Sequence, residues 1–380
     1  MKKKLKYIIP GIMLLCFSMQ VFTQDKLSIR INQVISTSYP EMEVYVSVTG
    51  NYGEPVLSLV KGNFQILIDG KEDGSNLEVA GFQYTDEPVA YAVMLAANGL
   101  MAGSPLDQQK KAAVKLIESM REQDRLSYYV FGEEVKSIVE FGKKEDNIVE
   151  ENVEILGDNP RLYDALVSVA RKFENNDFKR RAIIIMSDGR ELGSQYNKKQ
   201  TLTVLQEMNI PVYSIGFKVT HGRNLSTLVD LAEQTGGNYL YAPGERYIPG
   251  TMEIASRQVL QSYVLKFKAK SLRSDGELHQ LEIKVVDKNL DASSFKNFIA
   301  TEIPMSVWVW VVLGILILTL FIVLLVIFLI HRKNQRKKMG ITKRKCPKCK
   351  RRMKDDWDEC IFCKYLPSKK KNRKKNKDYE

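Results

Sequence analysis

Residues 89–96 read VAYAVMLA, a continuous apolar run that is typical of a β-strand buried on both of its faces. A second run of this kind, RAIIIM at residues 181–186, ends directly before Ser187-Asp188-Gly189. Segments with helical periodicity separate and follow the two runs, beginning with Pro105–Glu122. Because buried strands that alternate with helices form mostly parallel sheets covered on both sides, the sequence predicts a doubly wound α/β domain over residues 88–262.

The segment before this region has the alternation of half-buried strands. Leu27–Ile31, Met42–Val48 and Phe64–Ile68 alternate between apolar and polar residues, and turn signals separate them. Short strands with this spacing predict a small β-sandwich-like domain over residues 25–87.

Two further strand-like segments follow the α/β region. Ser262–Lys270 and Glu277–Val286 predict an antiparallel strand pair with a turn at residues 274–276, and this pair could rejoin the first β-domain in space. The rest of residues 263–303 is expected to form a stalk.

Residues 305–330 contain 26 consecutive residues without a charge, MSVWVWVVLGILILTLFIVLLVIFLI. About 20 apolar residues span the hydrocarbon core of a bilayer as a helix, so this segment predicts one transmembrane helix. Trp308 and Trp310 lie at its start, where interfacial aromatic residues are common, and residues 331–345 are basic. Lys and Arg beside a span favour the cytoplasmic side, which places residues before 305 outside the cytoplasm and the C-terminal tail inside.

The N-terminus has the pattern of a secretory leader. Lys2, Lys3, Lys4 and Lys6 precede the apolar segment Tyr7–Phe22, which predicts a signal peptide over residues 1–23. The cleavage site is not a clean match, so both a cleaved leader and an uncleaved anchor remain open. In either case the following segment is exported to the outer side of the cell membrane.

Four of the five cysteines form two C-x-x-C pairs after the predicted span, at Cys346, Cys349, Cys360 and Cys363. Two such pairs can place four thiolates around Zn²⁺, and the cytosol keeps thiols reduced. We expect a structural zinc site in a zinc-ribbon-like segment over residues 346–363, with redox-active pairs or disulfides as the alternatives.

The positive charge of the chain is concentrated in the tail. Residues 332–380 contain 21 Lys and Arg against 6 Asp and Glu, although the whole chain has a net charge of only +12. The basicity therefore gives no reason to place nucleic acid on the exported part. For the basic segment 364–380 three interpretations remain open: a solvated disordered end, contact with anionic lipid, or binding to RNA. Tethering beside a membrane favours lipid over nucleic acid.

The order of elements over residues 88–262 resembles the von Willebrand factor type A (VWA) family of bacterial surface proteins. The segments that carry the resemblance are Val93–Gly103, Arg161–Leu166, Ile183–Gly189, Ile215-Gly-Phe and Leu228-x-x-Leu-Ala. The resemblance implies a doubly wound sheet and a domain that binds a protein partner.

The chain departs from the family at the ion-binding edge of the sheet. In the family that this chain resembles, a divalent ion is commonly held at this edge by an Asp-x-Ser-x-Ser motif on one loop, a Thr on a second loop and an Asp on a third. The corresponding positions in this chain are Ala96, Asn98, Leu100, Pro160 and Asp188. Because Mg²⁺ requires oxygen ligands, we do not expect it at this degenerate metal-ion-dependent adhesion site.

Arg161 adjoins the lost Thr position, and we hypothesise that its guanidinium pairs with Asp188 and supplies the missing positive charge. The alternative is that Asp188 only stabilises the turn of its loop.

No catalytic constellation is recognisable in the exported part, where His221 and His279 lie outside any metal-binding or nucleophile–base spacing. We therefore expect a single-pass membrane protein without enzyme activity, whose exported VWA-like domain binds a protein partner without an intact ion site. The alternative is a transmembrane signalling or regulatory component that couples an outside contact to the cytoplasmic zinc ribbon.

Overall fold

The structure is a computed structural model that describes residues 26–51, 53–144, 153–219, 225–270, 275–300, 307–338, 344–354 and 357–366. The predicted leader, His221 and the last 14 residues of the basic tail lie outside the described residues. The chain divides into two compact units, Met1–Ile303 and Pro304–Glu380.

The first five strands belong to a β-sandwich, and they are β1 (Ser28–Ser38), β2 (Glu41–Thr49), β3 (Phe64–Ile68), β4 (Lys71–Glu72) and β5 (Ser75–Gly81). Three more strands, from the other end of the first unit, complete it: β12 (Tyr263–Lys268), β13 (Leu278–Asp287) and β14 (Leu290–Ile299). One four-stranded sheet has the order β1-β2-β12-β5 and the other the order β14-β13-β3-β4. Their inner faces share one apolar core, to which Val44 and Leu265 contribute from the first sheet and Ile66 and Ile283 from the second.

The predicted pairing of the two late strands with each other is wrong. β12 lies between β2 and β5, whereas β13 lies between β3 and β14 in the opposite sheet. The segment expected to be a stalk contains β14, which pairs with β13 along its whole length. Alternation identifies a strand but not its partner, because the partner is chosen by which sheet can bury the apolar face. The late strands do rejoin the first β-domain, as expected.

The α/β domain lies between β5 and β12 in the sequence. Its strands are β6 (Val89–Ala96), β7 (Arg125–Phe131), β8 (Val135–Gly142), β9 (Arg180–Ser187), β10 (Val212–Phe217) and β11 (Tyr239–Ala242). Its helices are α1 (Ser104–Ser119), α2 (Leu162–Arg171), α3 (Lys198–Glu207), α4 (Leu225–Thr235) and α5 (Ile248–Leu260).

The sheet of this domain has the order β11-β10-β9-β6-β7-β8, and all of its pairs are parallel except β7 with β8. All eight side chains of β6 are fully buried. Since successive side chains of a strand point to opposite faces, both faces of the sheet are covered, as the continuous apolar run predicted. The predicted doubly wound, mostly parallel α/β fold is confirmed.

Polar side chains join the sandwich to the α/β domain. The Gln33 side chain of β1 donates through Nε2 to the carbonyl of Asn209 at 2.9 Å. Gln33 Oε1 accepts from the Arg180 guanidinium at 3.0 Å and from the Arg181 N–H at 3.1 Å. Arg180 is fully buried, and its guanidinium carbon lies 5.0 Å from the ring centroid of Tyr45. These bonds satisfy polar groups that would otherwise be costly to bury, and they attach β1 to the beginning of β9.

Lys296 of β14 makes a second connection between the two domains. Its ammonium donates to the carbonyls of Asn32 at 2.5 Å and Thr235 at 3.2 Å, although part of its stem is exposed. Burial, with a smaller contribution from the Arg180 charge, lowers the pKa of Lys296 to about 7. The sandwich and the α/β domain are thus held in one arrangement by buried donors.

The second unit begins with α6 (Val307–Lys338). Within the described residues, its segment Val309–Gln335 is long and apolar enough to cross a membrane, with a mean hydropathy of 3.5 and no side chain of the tested window buried. Length and composition are weak evidence for a span by themselves. Two short strands, β15 (Arg344–Lys345) and β16 (Arg352–Met353), follow in the cysteine-rich segment.

Candidate partner-binding edge and metal centre

The carboxyl ends of two neighbouring parallel strands bring Asn98 and Asp188 together. β6 ends at Ala96 and β9 ends at Ser187, and the two strands are hydrogen-bonded neighbours in the middle of the sheet. Asn98 and Asp188 follow within two residues, and both side chains are buried. We call the surface formed by residues 96–100, 160–161 and 188–192 the carboxyl edge.

Arg190 occupies the space between these two side chains. Its Nε donates to Asp188 Oδ2 at 2.8 Å, and its Nη2 donates to Asn98 Oδ1 at 2.7 Å. The backbone N–H of Arg190 also donates to Asp188 Oδ1 at 3.2 Å. The buried carboxylate therefore has a fixed cation beside it, which is the condition under which a buried charge is tolerated.

An arginine does pair with Asp188, as hypothesised. The predicted residue is wrong, because the ion pair is with Arg190 and not with Arg161. The Arg161 side chain is exposed, and its backbone N–H donates to the carbonyl of Gly132 at 2.8 Å. Gly189 has a φ of +75°, which turns the chain so that Arg190 returns over Asp188. The sequence Asp-Gly-Arg was the signal that could have identified this residue.

The remaining predicted residues of this edge offer no metal ligand. The Ala96 N–H donates to Gln109 Oε1 at 2.9 Å, and the Ala96 carbonyl accepts from Gln109 Nε2 at 3.0 Å. The carbonyl of Pro160 accepts from the Leu192 N–H at 2.8 Å. The Nδ2 donor of Asn98 is buried and has no hydrogen-bond partner in the part of the chain that the structure describes. Two oxygen-bearing side chains already bound to a guanidinium do not fit Mg²⁺, which requires near-octahedral oxygen coordination.

Two leucines give the carboxyl edge an apolar surface. Leu100 is 39% exposed and Leu192 is 47% exposed, one on each of the two loops that Arg190 connects. Leu100 is held because its backbone N–H donates to Asn98 Oδ1 at 3.2 Å. The edge therefore presents exposed apolar groups on a hydrogen-bonded base.

Carboxylates fix the loop of residues 188–197 against the beginning of α2. Glu191 Oε2 accepts from the Tyr163 N–H at 3.1 Å and from the Ser194 hydroxyl at 2.8 Å. Asp164 Oδ1 accepts from the N–H groups of Gln195 at 2.9 Å and Tyr196 at 3.0 Å. Because these bonds order the loop, a partner that bound here would meet a lower entropy cost.

The four predicted cysteines converge in the second unit. The sulfur atoms of Cys346, Cys349, Cys360 and Cys363 all lie within 4.8 Å of one another. The Cys346–Cys363 sulfurs are 3.5 Å apart and the Cys349–Cys360 sulfurs 3.6 Å, and all four thiols are free. A tetrahedral site with Zn–S bonds of about 2.3 Å requires sulfur–sulfur distances of about 3.8 Å. The cluster therefore fits a metal such as zinc, and it leaves no open position for catalysis.

The two cysteine pairs have the same backbone. The N–H of Lys350 donates to the Cys346 carbonyl at 2.8 Å, and in the second pair the N–H of Lys364 donates to the Cys360 carbonyl at 2.7 Å. Both lysines have a positive φ, +56° and +51°. We call Cys346–Lys350 the first knuckle and Cys360–Lys364 the second knuckle.

The protein surroundings act differently on two of the thiols. The backbone N–H of Cys349, with smaller contributions from Lys348 and neighbouring thiols, lowers the pKa of Cys346 to about 7, whereas burial raises the pKa of Cys363 to about 12. A bound cation would favour the thiolate form of all four, so metal binding would release protons.

Comparisons with known proteins agree with the architecture. Residues 99–246 match the family model described as von Willebrand factor type A domain. A comparison with curated proteins gave no match. Among solved structures, the chain is similar to the ArnB paralog VWA2 from Sulfolobus acidocaldarius, with 13% identity, 74% of this chain and 76% of that chain covered, and a TM-score of 0.40.

Two further similar structures come from bacteria. A von Willebrand factor type A protein from Catenulispora acidiphila has 9% identity over 74% of each chain, with a TM-score of 0.41. An aerotolerance-related membrane protein from Bacteroides fragilis has 14% identity over 45% of this chain and 98% of that chain, with a TM-score of 0.34. The family match over residues 99–246 and the order of the sheet together show that the α/β part of this chain has a VWA fold.

Proposed function

We propose that this chain is a non-catalytic, single-pass membrane protein whose exported VWA domain binds a protein partner at the carboxyl edge without a bridging metal ion. The observation that carries the proposal is the Arg190 guanidinium between Asp188 and Asn98. It supplies a positive charge from the chain itself at the position where the family resemblance implies an ion.

Binding at this edge is supported by the geometry of open α/β sheets, in which ligands gather outside the carboxyl ends of the strands. VWA domains commonly bind proteins. The exposed Leu100 and Leu192 beside a charged and hydrogen-bonded base resemble the apolar centre and polar surroundings of protein interfaces. A partner would therefore be recognised by apolar contact around Arg190 rather than through a shared cation.

The proposed topology follows from α6 and its flanks. The apolar segment of α6 crosses the membrane, the basic residues after it stay in the cytoplasm, and the first unit lies outside. The cysteine cluster then lies on the reducing side of the membrane, where four free thiols bind zinc as a structural ion.

The proposal is tested by photo-crosslinking the full-length chain in its own cells. A photoreactive amino acid replaces Leu192 at the carboxyl edge, and in a matched control it replaces Leu57, which is exposed to a similar degree on the sandwich. We expect a covalent adduct with one protein at position 192 only. The adduct should persist with chelator and decrease when Leu100→Ser is added.

Two results would contradict this proposal. An adduct that disappears with chelator would mean that an ion is required, and equal adducts at the two positions would mean that the edge is not the interface. Protease treatment of intact cells tests the topology separately: the first unit should be digested and the lysine-rich tail protected.

A further inference from the structure

The two knuckles of the cysteine cluster differ in the residues between their cysteines. Pro347 and Lys348 lie between the cysteines of the first knuckle, and Ile361 and Phe362 occupy the same positions in the second knuckle. All four residues are exposed, Ile361 by 60% and Phe362 by 53%. Because the backbones are alike, the difference lies in the side chains that the second knuckle presents to its surroundings.

The apolar side chains of the second knuckle do not contribute to the core of the cluster. That core contains Cys346, Cys360 and Met353, with Trp357 and Tyr365 packed against it. Ile361, Phe362 and Leu366 lie outside it and are exposed. A segment this short has few apolar residues, and leaving three of the largest in water is unfavourable unless something covers them.

Basic residues are close to this apolar tip in space or in sequence. The Arg351 guanidinium carbon lies 4.9 Å from the ring centroid of Phe362, and Lys364 follows the last cysteine. Residues 344–366 contain eight Lys and Arg against four Asp and Glu, and six more basic residues lie between 332 and 343. An apolar tip within a basic surface matches an anionic bilayer, where aromatic and aliphatic side chains enter the interface and cations contact the headgroups.

The chain is short enough for this contact. Only residues 339–343 separate α6 from Arg344, and five residues reach at most about 20 Å even when fully extended. The part of α6 beyond Ile330 adds eight residues, or about 12 Å as a helix. The cysteine cluster therefore stays within about 30 Å of the end of the apolar segment.

We propose that the second knuckle inserts Ile361 and Phe362, with Leu366, into the interface of an anionic phospholipid bilayer, the same membrane that α6 crosses. The inference rests on the proposed span of α6. It assigns the lipid contact to a folded and metal-dependent element, and it is separate from the interpretation that the basic segment 364–380 contacts anionic lipid.

The test uses the full-length chain in vesicles of phosphatidylcholine, with or without phosphatidylserine. Trp308, Trp310 and Trp357, the three tryptophans of the chain, are replaced by Phe. A single tryptophan reporter is then introduced by Phe362→Trp or, as the matched control at the same position of the first knuckle, by Lys348→Trp. The emission wavelength and the quenching by brominated lipid are measured.

We expect the reporter at position 362 to shift to shorter wavelength and to be quenched by brominated lipid in vesicles that contain phosphatidylserine. Quenching should weaken at about 1 M salt, where charges are screened within about 3 Å. The reporter at position 348 should remain unquenched. Zinc content is measured for each variant, and Ile361→Trp replaces Phe362→Trp if the latter loses metal.

Flotation with neutral vesicles separates the two proposals. If the chain does not float with them, the span of α6 is wrong. If it floats but the reporter at position 362 is unquenched in both lipid mixtures, the span stands and insertion of the second knuckle is overturned. The same conclusion follows if the reporters at positions 362 and 348 are quenched equally.

Discussion

Arg190 and Asp188 are two residues apart in the sequence, and Gly189 between them permits the turn that joins their side chains. The pair also holds Asn98 from the neighbouring loop through the Nη2 bond. A single arginine thus connects two loops of the carboxyl edge and neutralises its buried carboxylate. The stability of the edge should depend on this residue and not on Arg161.

We expect Arg190→Ala to lower the free energy of unfolding by about 1–3 kcal/mol, because the buried Asp188 carboxylate and the Asn98 oxygen lose their charged donor. Arg161→Ala is the matched control, and since that side chain is exposed its effect should stay within about 0.5 kcal/mol. Chemical denaturation measures both. Equal losses in the two variants would contradict the assignment of the ion pair to Arg190.

His279 of the sandwich lies between two carboxylates. Its Nδ1 is 2.7 Å from Asp69 Oδ2 and its Nε2 is 3.1 Å from Asp275 Oδ1. These hydrogen bonds, first the one to Asp69 and then the one to Asp275, raise the pKa of His279. The pKa of Asp69 is lowered, first by the Gln280 backbone N–H, and the pKa of Asp275 is lowered, first by His279.

These shifts predict how the stability of the sandwich changes with pH. A raised histidine pKa stabilises the fold fully below the unfolded value of 6.5, and this contribution is lost as the pH rises through the folded pKa. Lowered aspartate pKa values stabilise the fold above the unfolded value of 3.8, and their contribution is lost as the pH falls through the folded values. The interaction is therefore strongest between about pH 4 and 6.5.

We expect the melting temperature of the original chain to exceed that of His279→Gln by more at pH 6 than at pH 8, because the histidine loses its proton as the pH rises and glutamine does not titrate. Melting temperatures measured across this pH range by circular dichroism test the prediction. An unchanged pH profile in the variant would show that His279 does not contribute to it.

At the scale of elements, the structures of the two knuckles and of α6 follow most directly from the local sequence. The two C-x-x-C pairs form turns with matching hydrogen bonds, and the four sulfurs meet. Their common core is very small, so a metal held by the four thiols would supply most of the folding free energy of this element.

Cys346→Ser should abolish stoichiometric zinc binding, since a serine hydroxyl does not replace a thiolate ligand at neutral pH. Lys348→Ser, two residues away in the first knuckle, should leave the zinc content unchanged because that side chain is exposed. Elemental analysis of the purified full-length proteins measures both. Zinc retained by the cysteine variant would mean that the four thiols are not its site.

At the scale of the whole first unit, the sandwich is assembled from both ends of that unit, and the α/β domain is inserted between its strands. β12 supplies a central strand of one sheet and β13 a central strand of the other. Eight large apolar side chains of the last three strands are buried: Tyr263, Val264, Leu265, Phe267, Leu281, Ile283, Val285 and Phe298. Val264 packs in the core of the α/β domain, and the other seven belong to the core between the two sheets, which cannot bury their inner faces without them.

A chain that ends at residue 262 should therefore not form the sandwich. Burial of one such side chain contributes about 1.5–3 kcal/mol, so losing eight removes about 12–24 kcal/mol, which is as large as or larger than the 5–15 kcal/mol by which a whole domain is usually stable. The control chain ends at residue 303 and retains all eight sandwich strands. Thermal unfolding should show a smaller unfolding enthalpy for the shorter chain than for the control, because only the α/β domain keeps its core. A transition of equal size in the shorter chain would contradict the interleaved sandwich.

Local periodicity was enough to predict most elements of the α/β domain. The runs at residues 89–96 and 181–186 are strands within one residue of their predicted bounds, because burial on both faces requires uninterrupted apolar side chains. β14 was missed because polar Ser294 and Lys296 lie on its inner face and apolar Phe295 and Ile299 on its exposed face, so the alternation is interrupted. It is held by its pairing with β13, which no local pattern shows.

By itself, the sequence determined the fold class, the presence of one long apolar helix and the position of the four thiols, since each depends on residue type and short-range spacing. The tertiary structure alone decided that β12 and β13 join different sheets, and that Arg190 rather than Arg161 binds Asp188. Both outcomes depend on where distant segments, or a turn at positive φ, bring side chains in space. Such placement is set by the burial of whole faces and the satisfaction of buried charges, and a linear pattern does not specify it.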